Sequence, residues 1–422
     1  MLARLRGFQD LLGADARAVS RVEECARAMA HRYNLNEIRV PMMERIDLYQ
    51  RSTGETSDIV SKQMYLVQRS DESQGKEAMI LRPEGTPGVV RAYIETGLDR
   101  GDPYQRFFYW GPMLRYERPQ KGRYRQFHQF GVEIFGRADA ACDAELMLMI
   151  DDLMRELGLA VRFEINSLGC DTPDCRPRFR AALLEYGRAH WDELCADCHQ
   201  RLERNPLRLL DYKIDADRVA ASAPKSLDYL CGECRAHFDT VKQILSQAKV
   251  PYVVKPSLVR GLDYYTRTAF EVVSADVGSQ SAVAAGGRYD GLVKELGGAP
   301  MAGTGFAIGI ERTALALLAR GYQSEGGPDV ALASLGDAAS LAAITLGHDL
   351  RAQNLRVEVL PADRKLKAAL TIASRMGAHY AVIIGDNELS RGVVQLRDLR
   401  ASVQREVSIA GLAAEITSSA RS

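Results

Sequence analysis

Hydrophobic residues recur on two different periods along this chain, and the change of period divides it. Residues 15–33 place Val19, Val22, Ala26, Met29 and Tyr33 three and four apart, the spacing of a helix with one buried face. Asp15 stands where it would cap the first turn. "EIRVP" then reads as a strand ended by Pro41. Two longer strand patterns follow, "RFFYWGPMLRY" (106–116) and "YRQFHQFGVEIF" (124–135), and the charged stretch between them suits a long hairpin loop. Ala144 to Leu157 is helical in pattern, "VRFEINSL" (161–168) returns to strand, and residues 170–249 read as a mostly helical insert. Strand patterns resume with "PYVVKPSLV", "LVRGLDYYTR" and "RTAFEVVS". "AAGGRYDGL" has the composition of a glycine-rich turn, and "GTGFAIGIERTALALLAR" reads as a strand running into a helix.

"GYQSEGGPD" (321–329) has the composition of a linker, and beyond it the pattern changes. "VALASLG", "LRVEVLP" and "YAVIIG" are short, continuously apolar strands, the first two each followed by a helical segment. That alternation predicts a small α/β domain with a mostly parallel sheet covered on both faces. The expected organisation is an α+β domain over residues 1–325, its antiparallel sheet flanked by helices and carrying the insert, then an α/β domain over 329–422.

Charge changes this picture little. Lysine plus arginine equals aspartate plus glutamate, 55 against 55, so no global field draws nucleic acid; a local basic strip is still enough to grip phosphates. No apolar run approaches the roughly 20 residues that span a bilayer, and the opening segment is too charged for a secretory signal, so a cytoplasmic protein with no membrane partner is expected. In that setting eight cysteines suggest thiols or metal ligands. The pairs Cys195/Cys198 and Cys231/Cys234 resemble the four ligands of a zinc ribbon, although 32 residues separate the pairs; reduced thiols in a helical insert are the alternative.

Alternation along the second hairpin strand puts Phe127, Gln129, Gly131, Glu133 and Phe135 on one face and His128, Phe130, Val132 and Ile134 on the other. The second face is core. The first sets an amide and a carboxylate either side of a glycine, leaving a hollow in which a carboxylate can accept a ligand N–H. Arg115 and Glu117 share a face of the partner strand in the same way, with a solvated cross-strand ion pair as the plain alternative. The loop "RPQKGRYR" carries Arg118, Lys121, Arg123 and Arg125, a cationic tip that can grip phosphates or a nucleic-acid end, with a solvated charged tip as the plain alternative. Arg312 opens a helix, where it opposes the macrodipole unless an anion is held there. The spacing matches neither a Walker A loop nor a Rossmann fingerprint. "LRPEGT" reads as a turn exposing Arg82, Glu84 and Thr86 at the end of a strand.

Taken together, the Arg115–Glu117 hairpin, the strand–helix with Gly309-Ile310-Glu311-Arg312 and the early helix–strand ending at Pro41 resemble the three motifs of class II aminoacyl-tRNA synthetases. Within that class, "LVRGLDYYTR", "GGRYDGL", "LRPEGT", "RPQKGRYRQFHQFG" and "NPLRLLDYK" resemble segments of the histidyl-tRNA synthetase family. The resemblance implies a homodimer that uses ATP and Mg2+ to activate L-histidine and then charges histidine tRNA. It implies that Glu84, Gly85, Thr86, Gln129, Glu133, Tyr264, Tyr265 and Tyr289 line the histidine pocket. Arg115 and Arg260 would hold the α-phosphate and Arg312 the distal phosphates, with Glu117 and Arg123 on the nucleotide. Arg118 and Gln120 would meet the extra 5′ guanosine of the tRNA and its pairing base, and the C-terminal domain would read the anticodon. In the helix "RKLKAALTIASRMG", Ala368 and Ala369 stand where relatives often carry a lysine and a glutamine, which weakens its basic face. Tyr264 and Tyr265 are adjacent, so in a regular strand only one of them would touch the ligand.

Two rival readings remain. A histidine-sensing regulatory subunit of ATP phosphoribosyltransferase resembles such a synthetase with its catalytic and tRNA-binding parts eroded, whereas Arg115, Arg260, Arg312 and the C-terminal domain are all present here. A zinc-dependent nucleic-acid binder rests on the cysteine pairs alone and leaves the arginines unexplained.

Overall fold

The computed structural model describes residues 2–54, 57–68, 78–210, 222–280, 282–323, 327–362 and 364–419. It divides into two compact units, Met1–Tyr322 and Gln323–Ser422. Parts of the 321–329 linker and of "NPLRLLDYK" lie outside the described residues.

The first unit is built on an eight-stranded sheet in the order β1-β5-β6-β11-β10-β9-β7-β8. Its strands are β1 (Asn36–Glu37), β5 (Gln105–Leu114), β6 (Gln126–Phe135), β7 (Arg162–Ser167), β8 (Tyr252–Val254), β9 (Thr266–Val273), β10 (Ala282–Arg288) and β11 (Gly303–Gly309). A side sheet joins β2 (Met43–Arg45), β3 (Tyr65–Val67) and β4 (Met79–Leu81). The β5/β6 hairpin pairs over its whole length, from Gln105 opposite Phe135 to Leu114 opposite Gln126. Phe130, Val132 and Ile134 face a helical layer and are buried there with Val22, Ala26 and Met29 of the helix Gly13–Arg32. Each large apolar side chain so buried contributes about 1.5–3 kcal/mol. The layer is completed by helices Ala140–Glu156, Gly232–Gln247 and Ile310–Ala319. The opposite face of the central strands is the floor of a cleft.

Several local expectations change. Of "EIRVP" only Glu37 pairs, with Asn36 before it and parallel to β5, because the chain beyond Glu37 leaves the sheet edge after a single further bond from Ile38. Asp15 lies in the first turn of its helix without a capping hydrogen bond, and Leu12 holds the N-cap position. An effective cap appears instead at Asp139, whose carboxylate accepts the Cys142 N–H at 3.1 Å. Only the second half of "AAGGRYDGL" is a turn, at Asp290 and Gly291; its first half belongs to a central strand, residues 282–288. Its glycines serve close approach, since a Cβ at Gly286 would overlap the Gly305 carbonyl and lie 2.7 Å from the Phe270 ring. Gly287, at φ +153°, sits where the β9/β10 register shifts. Residues 258–265 of "LVRGLDYYTR" are irregular, and pairing begins only at Thr266. The 170–249 segment is mostly helical, yet Phe238, Val241 and Leu245 of its last helix belong to the main core.

Immediately after Gly287, Arg288 is fully buried. Its guanidinium donates to Asp143 at 2.6 and 3.2 Å, to Asp290 at 2.9 Å and to the carbonyls of Arg137 and Asp139. Asp143 also accepts from His237 at 2.7 Å, so one carboxylate ties β10 to two helices. Burial works against the charge on Asp143, but Arg288 and His237 together hold its pKa below the ordinary value.

In the second unit β12 (Val330–Leu335), β13 (Val357–Val359) and β14 (Tyr380–Gly385) are parallel. Val330 and Leu332 pack on the helix Asp337–Ala352, while Ala331 and Ala333 pack on the opposite side against Ala369 and Ala373. Two antiparallel strands, β15 (Val393–Asp398) and β16 (Gln404–Ser408), extend the sheet beyond what the apolar runs predicted. Of the two alanines noted above, Ala369 packs inward and only Ala368 lies on the exposed face. Among the described residues, no helix is long and apolar enough to cross a membrane.

Removing one partner of a buried pair leaves a stranded charge. Asp143→Ala is therefore expected to cost about 3–5 kcal/mol in urea unfolding. Arg188→Ala, which breaks an exposed pair with Glu203, should cost under about 1 kcal/mol. Equal losses would refute the anchoring role of Asp143.

Candidate active site

On the open face of the sheet, β6, β10 and β11 floor a cleft of about 1050 Å³ counted out to solvent, the size of a cofactor-sized site. The floor is low because Ala284, Ala285, Gly305, Ala307 and Gly309 carry little or no side chain. The walls come from segments distant in sequence. The turn after β4 brings Glu84 and Thr86, the β5/β6 hairpin brings Arg115, Glu117 and Arg123, and the irregular segment before β9 brings Arg260, Tyr264 and Tyr265. Tyr289 and Arg312 follow β10 and β11.

Buried carboxyl groups line part of the cleft. Glu133 on β6 is 1% exposed and accepts hydrogen bonds from Thr86 Oγ1 at 2.6 Å and from the Tyr289 hydroxyl. Glu84 is equally enclosed and accepts from the Tyr264 hydroxyl at 2.9 Å. Burial pushes Glu84 up to about 7 and Glu133 up to about 8; each carboxyl therefore carries a proton for much of its time near neutrality. Glu84 Oε1 and Gln129 Oε1 are buried with no hydrogen-bond partner among the described residues. Unpaired buried acceptors are costly. Two such acceptors beside two protonatable carboxyls suit a ligand that brings N–H groups and positive charge.

Four arginines also line the cleft, with Glu117, Glu271 and Glu311 among them. Arg115 donates to the Pro83 carbonyl at 2.8 Å and lies over the Phe127 ring. Arg312 donates to the carbonyls of Gly122 at 2.7 Å and Ala282 at 2.9 Å, bonds that hold it in the first helical turn against the macrodipole. Arg123 pairs with Glu117, and Arg260 with Glu271. Burial lowers the pKa of Arg115, Arg123 and Arg312, and the charge of Arg115 adds to the lowering at both others. Guanidiniums held against their mutual repulsion make a site for a polyanion.

Twelve residues singled out from the sequence face this one cleft: Glu84, Thr86, Arg115, Glu117, Arg123, Gln129, Glu133, Arg260, Tyr264, Tyr265, Tyr289 and Arg312. Arg118 and Gln120 do not; they are exposed at the hairpin tip, where Gln120 bridges Arg123. Gly85 packs against Tyr109. Contrary to the expected turn, Arg82, Glu84 and Thr86 are all buried. Arg82 donates to the Pro112 and Val40 carbonyls, and the Tyr49 hydroxyl donates to the Glu84 carbonyl. Both Tyr264 and Tyr265 line the cleft, because the backbone there is not a strand and does not alternate; their ring centroids are 4.7 Å apart.

Sequence reasoning missed Tyr109. It lies opposite Gly131 in the β5/β6 register, and its ring fills the hollow expected over that glycine, so a Cβ at either Gly131 or Gly85 would overlap it. Gly131 was the available signal, read as vacancy when it marked a neighbour's ring. Glu271, the partner of Arg260, was also missed. So was Glu311, which accepts from the His128 backbone N–H at 2.9 Å and sits 2.8 Å from its Nδ1. The cysteine pairing changes too. Cys195 and Cys198 do not join Cys231 and Cys234, because Cys198 is packed in the apolar cluster with Phe179 and Leu202. Cys170 and Cys175 join them instead.

A family profile described as histidyl-tRNA synthetase matches residues 7–313, and one described as anticodon binding domain matches residues 329–419. A histidine–tRNA ligase of Thermotoga maritima is 47% identical over 408 residues, covering 96% of this chain and 95% of that protein. One from Desulforamulus reducens is 43% identical over 413 residues, covering 97% of each. The apo histidyl-tRNA synthetase of S. aureus superposes with a TM-score of 0.81 at 33% identity, covering 99% of this chain and 100% of that one. A structure titled ATP phosphoribosyltransferase regulatory subunit/histidyl-tRNA synthetase, from Bacillus halodurans, reaches 0.65 at 19% identity over 91% of this chain and 98% of that one, and so shares the fold. With motifs, architecture and nearly full-length relatives in agreement, this chain belongs to the histidyl-tRNA synthetase family.

Proposed function

We propose that the protein is a histidine–tRNA ligase that activates L-histidine with ATP, releasing pyrophosphate, and transfers the histidyl group to the 3′ end of histidine tRNA. The observation that carries this reading is the lining of one cleft, where the buried carboxyls Glu84 and Glu133 stand with Arg115 and Arg260, both arginines near enough to act on Glu84. Histidine's ammonium and imidazole N–H groups enter beside Glu84 and Glu133, where Glu84 Oε1 and Gln129 Oε1 have no partner among the described residues. Its carboxylate then points toward the arginines and attacks the α-phosphorus in line, and pyrophosphate leaves. Negative charge grows on the equatorial oxygens as this happens, so preorganised guanidiniums stabilise the transition state more than the ground state. Arg312 holds the distal phosphates, while Glu117 and Arg123 meet the nucleotide. The Glu271 carboxylate shares the cleft with Arg312, and together with phosphate oxygens of the nucleotide it would offer the oxygen ligands that magnesium takes. That ion would neutralise phosphate charge.

In the second half-reaction the tRNA 3′-terminal hydroxyl attacks the activated carbonyl and AMP departs. Exposed Arg118 and Gln120 are placed outside the cleft, free to meet the tRNA acceptor end, and residues 329–419 would read the anticodon. We also propose that the protein acts as a cytoplasmic homodimer. A histidine-sensing subunit would need only the carboxyls and would leave Arg115, Arg260 and Arg312 without a task.

L-histidine-dependent exchange of pyrophosphate into ATP tests the first step without tRNA. Exchange with histidine alone among the amino acids is expected; no exchange would refute the proposal. Arg260→Ala should lower the exchange rate about 10²–10³-fold with histidine affinity largely spared. An unchanged rate would remove Arg260 from the chemistry.

The buried carboxyls also fix a pH dependence. Burial raises Glu84 to about 7 and Glu133 to about 8, and a bound cation lowers both values. The complex then carries fewer protons than the free protein, so affinity rises with pH until the free-state values are passed, at most about tenfold per unit for each proton released. Calorimetry from about pH 6.5 to about pH 8 should show tighter histidine binding and proton release into buffer. Glu133→Gln should weaken histidine about ten- to a hundredfold, leave ATP nearly unaffected and flatten the pH dependence. Equal losses for both ligands would place Glu133 outside the histidine site.

A further inference from the structure

Four cysteine sulfurs meet where the helical insert leaves and rejoins the sheet. Cys170 and Cys175 lie in the loop after β7, while Cys231 and Cys234 lie at the start of the helix Gly232–Gln247. The Sγ atoms of all four lie within 4.8 Å of one another, and those of Cys170 and Cys231 are 3.7 Å apart. That separation is far beyond a disulfide bond. It matches the spacing of about 3.8 Å between sulfurs bound tetrahedrally to one zinc ion, each at about 2.3 Å.

The surroundings are shaped for thiolates. The backbone N–H groups of Cys170 and Cys231 both donate to Cys175 Sγ, at 3.3 and 3.4 Å, and Thr172 Oγ1 lies 3.1 Å from Cys170 Sγ. Such contacts stabilise charge on a ligating sulfur. Gly169, at φ +73°, turns the chain tightly beneath the cluster, and a Cβ there would lie 2.6 Å from Cys175 Sγ. Cys231 is the N-cap residue of its helix and Cys234 lies in the first turn, where the macrodipole favours negative sulfur. Cys175 and Cys234 are buried, whereas Cys170 and Cys231 are partly exposed, which leaves a path for an ion to enter. A buried apolar cluster has no use for converging N–H donors or for two ligand pairs with short four- and two-residue spacers.

We propose that Cys170, Cys175, Cys231 and Cys234 bind a single structural zinc ion that clamps the two ends of the insert together. The clamp adjoins the cleft wall. Arg176, next in the chain to Cys175, donates to the Tyr265 carbonyl at 2.7 Å, and the Arg267 N–H donates to the Gly169 carbonyl at 2.8 Å. Closing the loop between residues 170 and 231 therefore also fixes the backbone that carries Tyr265.

The test is metal analysis of the full chain purified in reducing buffer without chelator, independent of any enzymatic assay. About one zinc per chain is expected. Cys175→Ser and Cys231→Ser should each lose nearly all of it, while the double variant Cys195→Ser/Cys198→Ser should retain it. Should the single variants fail to fold, cobalt(II) added to metal-stripped wild-type protein should give the intense visible bands of a tetrahedral four-thiolate site. Chelation should also lower the melting temperature, with recovery on adding zinc. A chain that neither carries zinc nor rebinds it when reduced would overturn the proposal, as would a cobalt spectrum lacking four-sulfur intensity. Loss of metal from the Cys195/Cys198 variant would overturn it as well.

Discussion

Glu84 and Glu133, and with them in one cleft Arg115, Arg123, Arg260 and Arg312, are taken wholly or partly out of water, and the rest of the unit is arranged to tolerate that. Desolvating such groups costs several kcal/mol each unless fixed dipoles replace the lost water. Part of the replacement is visible. Glu133 has the Thr86 and Tyr289 hydroxyls, Arg115 the Pro83 carbonyl, and Arg312 two backbone carbonyls. The remainder is not supplied among the described residues, where Glu84 Oε1 and Gln129 Oε1 have no partner and the arginines repel one another. A ligand cationic at one end and anionic at the other supplies both deficits at once. The cleft is therefore preorganised: its carboxyls and arginines are held by hydroxyls and backbone carbonyls before any charge develops.

That frame is rigid for identifiable reasons. Gly286 and Gly305 let β10 and β11 approach without side chains between them, and a Cβ on Gly305 would overlap the Glu133 carboxylate itself. Arg288, one residue before Tyr289, is pinned by Asp143, Asp290 and two carbonyls. A buried ion pair of this kind adds little net stability over apolar packing. Its effect is positional: the anchored backbone at Arg288 brings the next hydroxyl, that of Tyr289, onto Glu133. Structure spent on Arg288 thus becomes geometry at the ligand.

Much of this was legible in the chain. The alternation along β6 separated Phe130, Val132 and Ile134 from Gln129 and Glu133, because a half-buried strand has to repeat every two residues. Arg312 betrayed itself by opposing the helix dipole. What stayed hidden depended on a neighbour. Gly286 looked like a turn because nothing local says that another backbone will press against it. Tyr109 looked like one more strand aromatic until the register set it opposite Gly131. The cysteines were paired by proximity in sequence, and the fold paired them by the two ends of an insert, bringing Cys170 and Cys175 to Cys231 and Cys234. "LRPEGT" was read as exposed because a charged turn usually is; Arg82 and Glu84 are buried only because two further segments close over them.

The protonation of Glu133 bears on how a site like this selects its amino acid. With both oxygens engaged by hydroxyls and a pKa near 8, the carboxyl exists in either charge state around neutrality. An imidazole has one nitrogen that donates and one that accepts, and the assignment exchanges between tautomers. A carboxyl able to accept from an N–H or, when protonated, to donate to a lone pair can match whichever nitrogen faces it, and the flanking hydroxyls can reverse direction with it. An apolar side chain of similar size would leave Glu84 Oε1 and Gln129 Oε1, which have no partner among the described residues, buried and unpaired. Sites that reject a ligand by stranding their own polar groups discriminate by about 10⁴–10⁵-fold, against about 10–200-fold for one missing methylene in an apolar pocket. In the proposed reaction, selectivity would follow from the same desolvated carboxyls, Glu84 and Glu133, whose pKa burial raises.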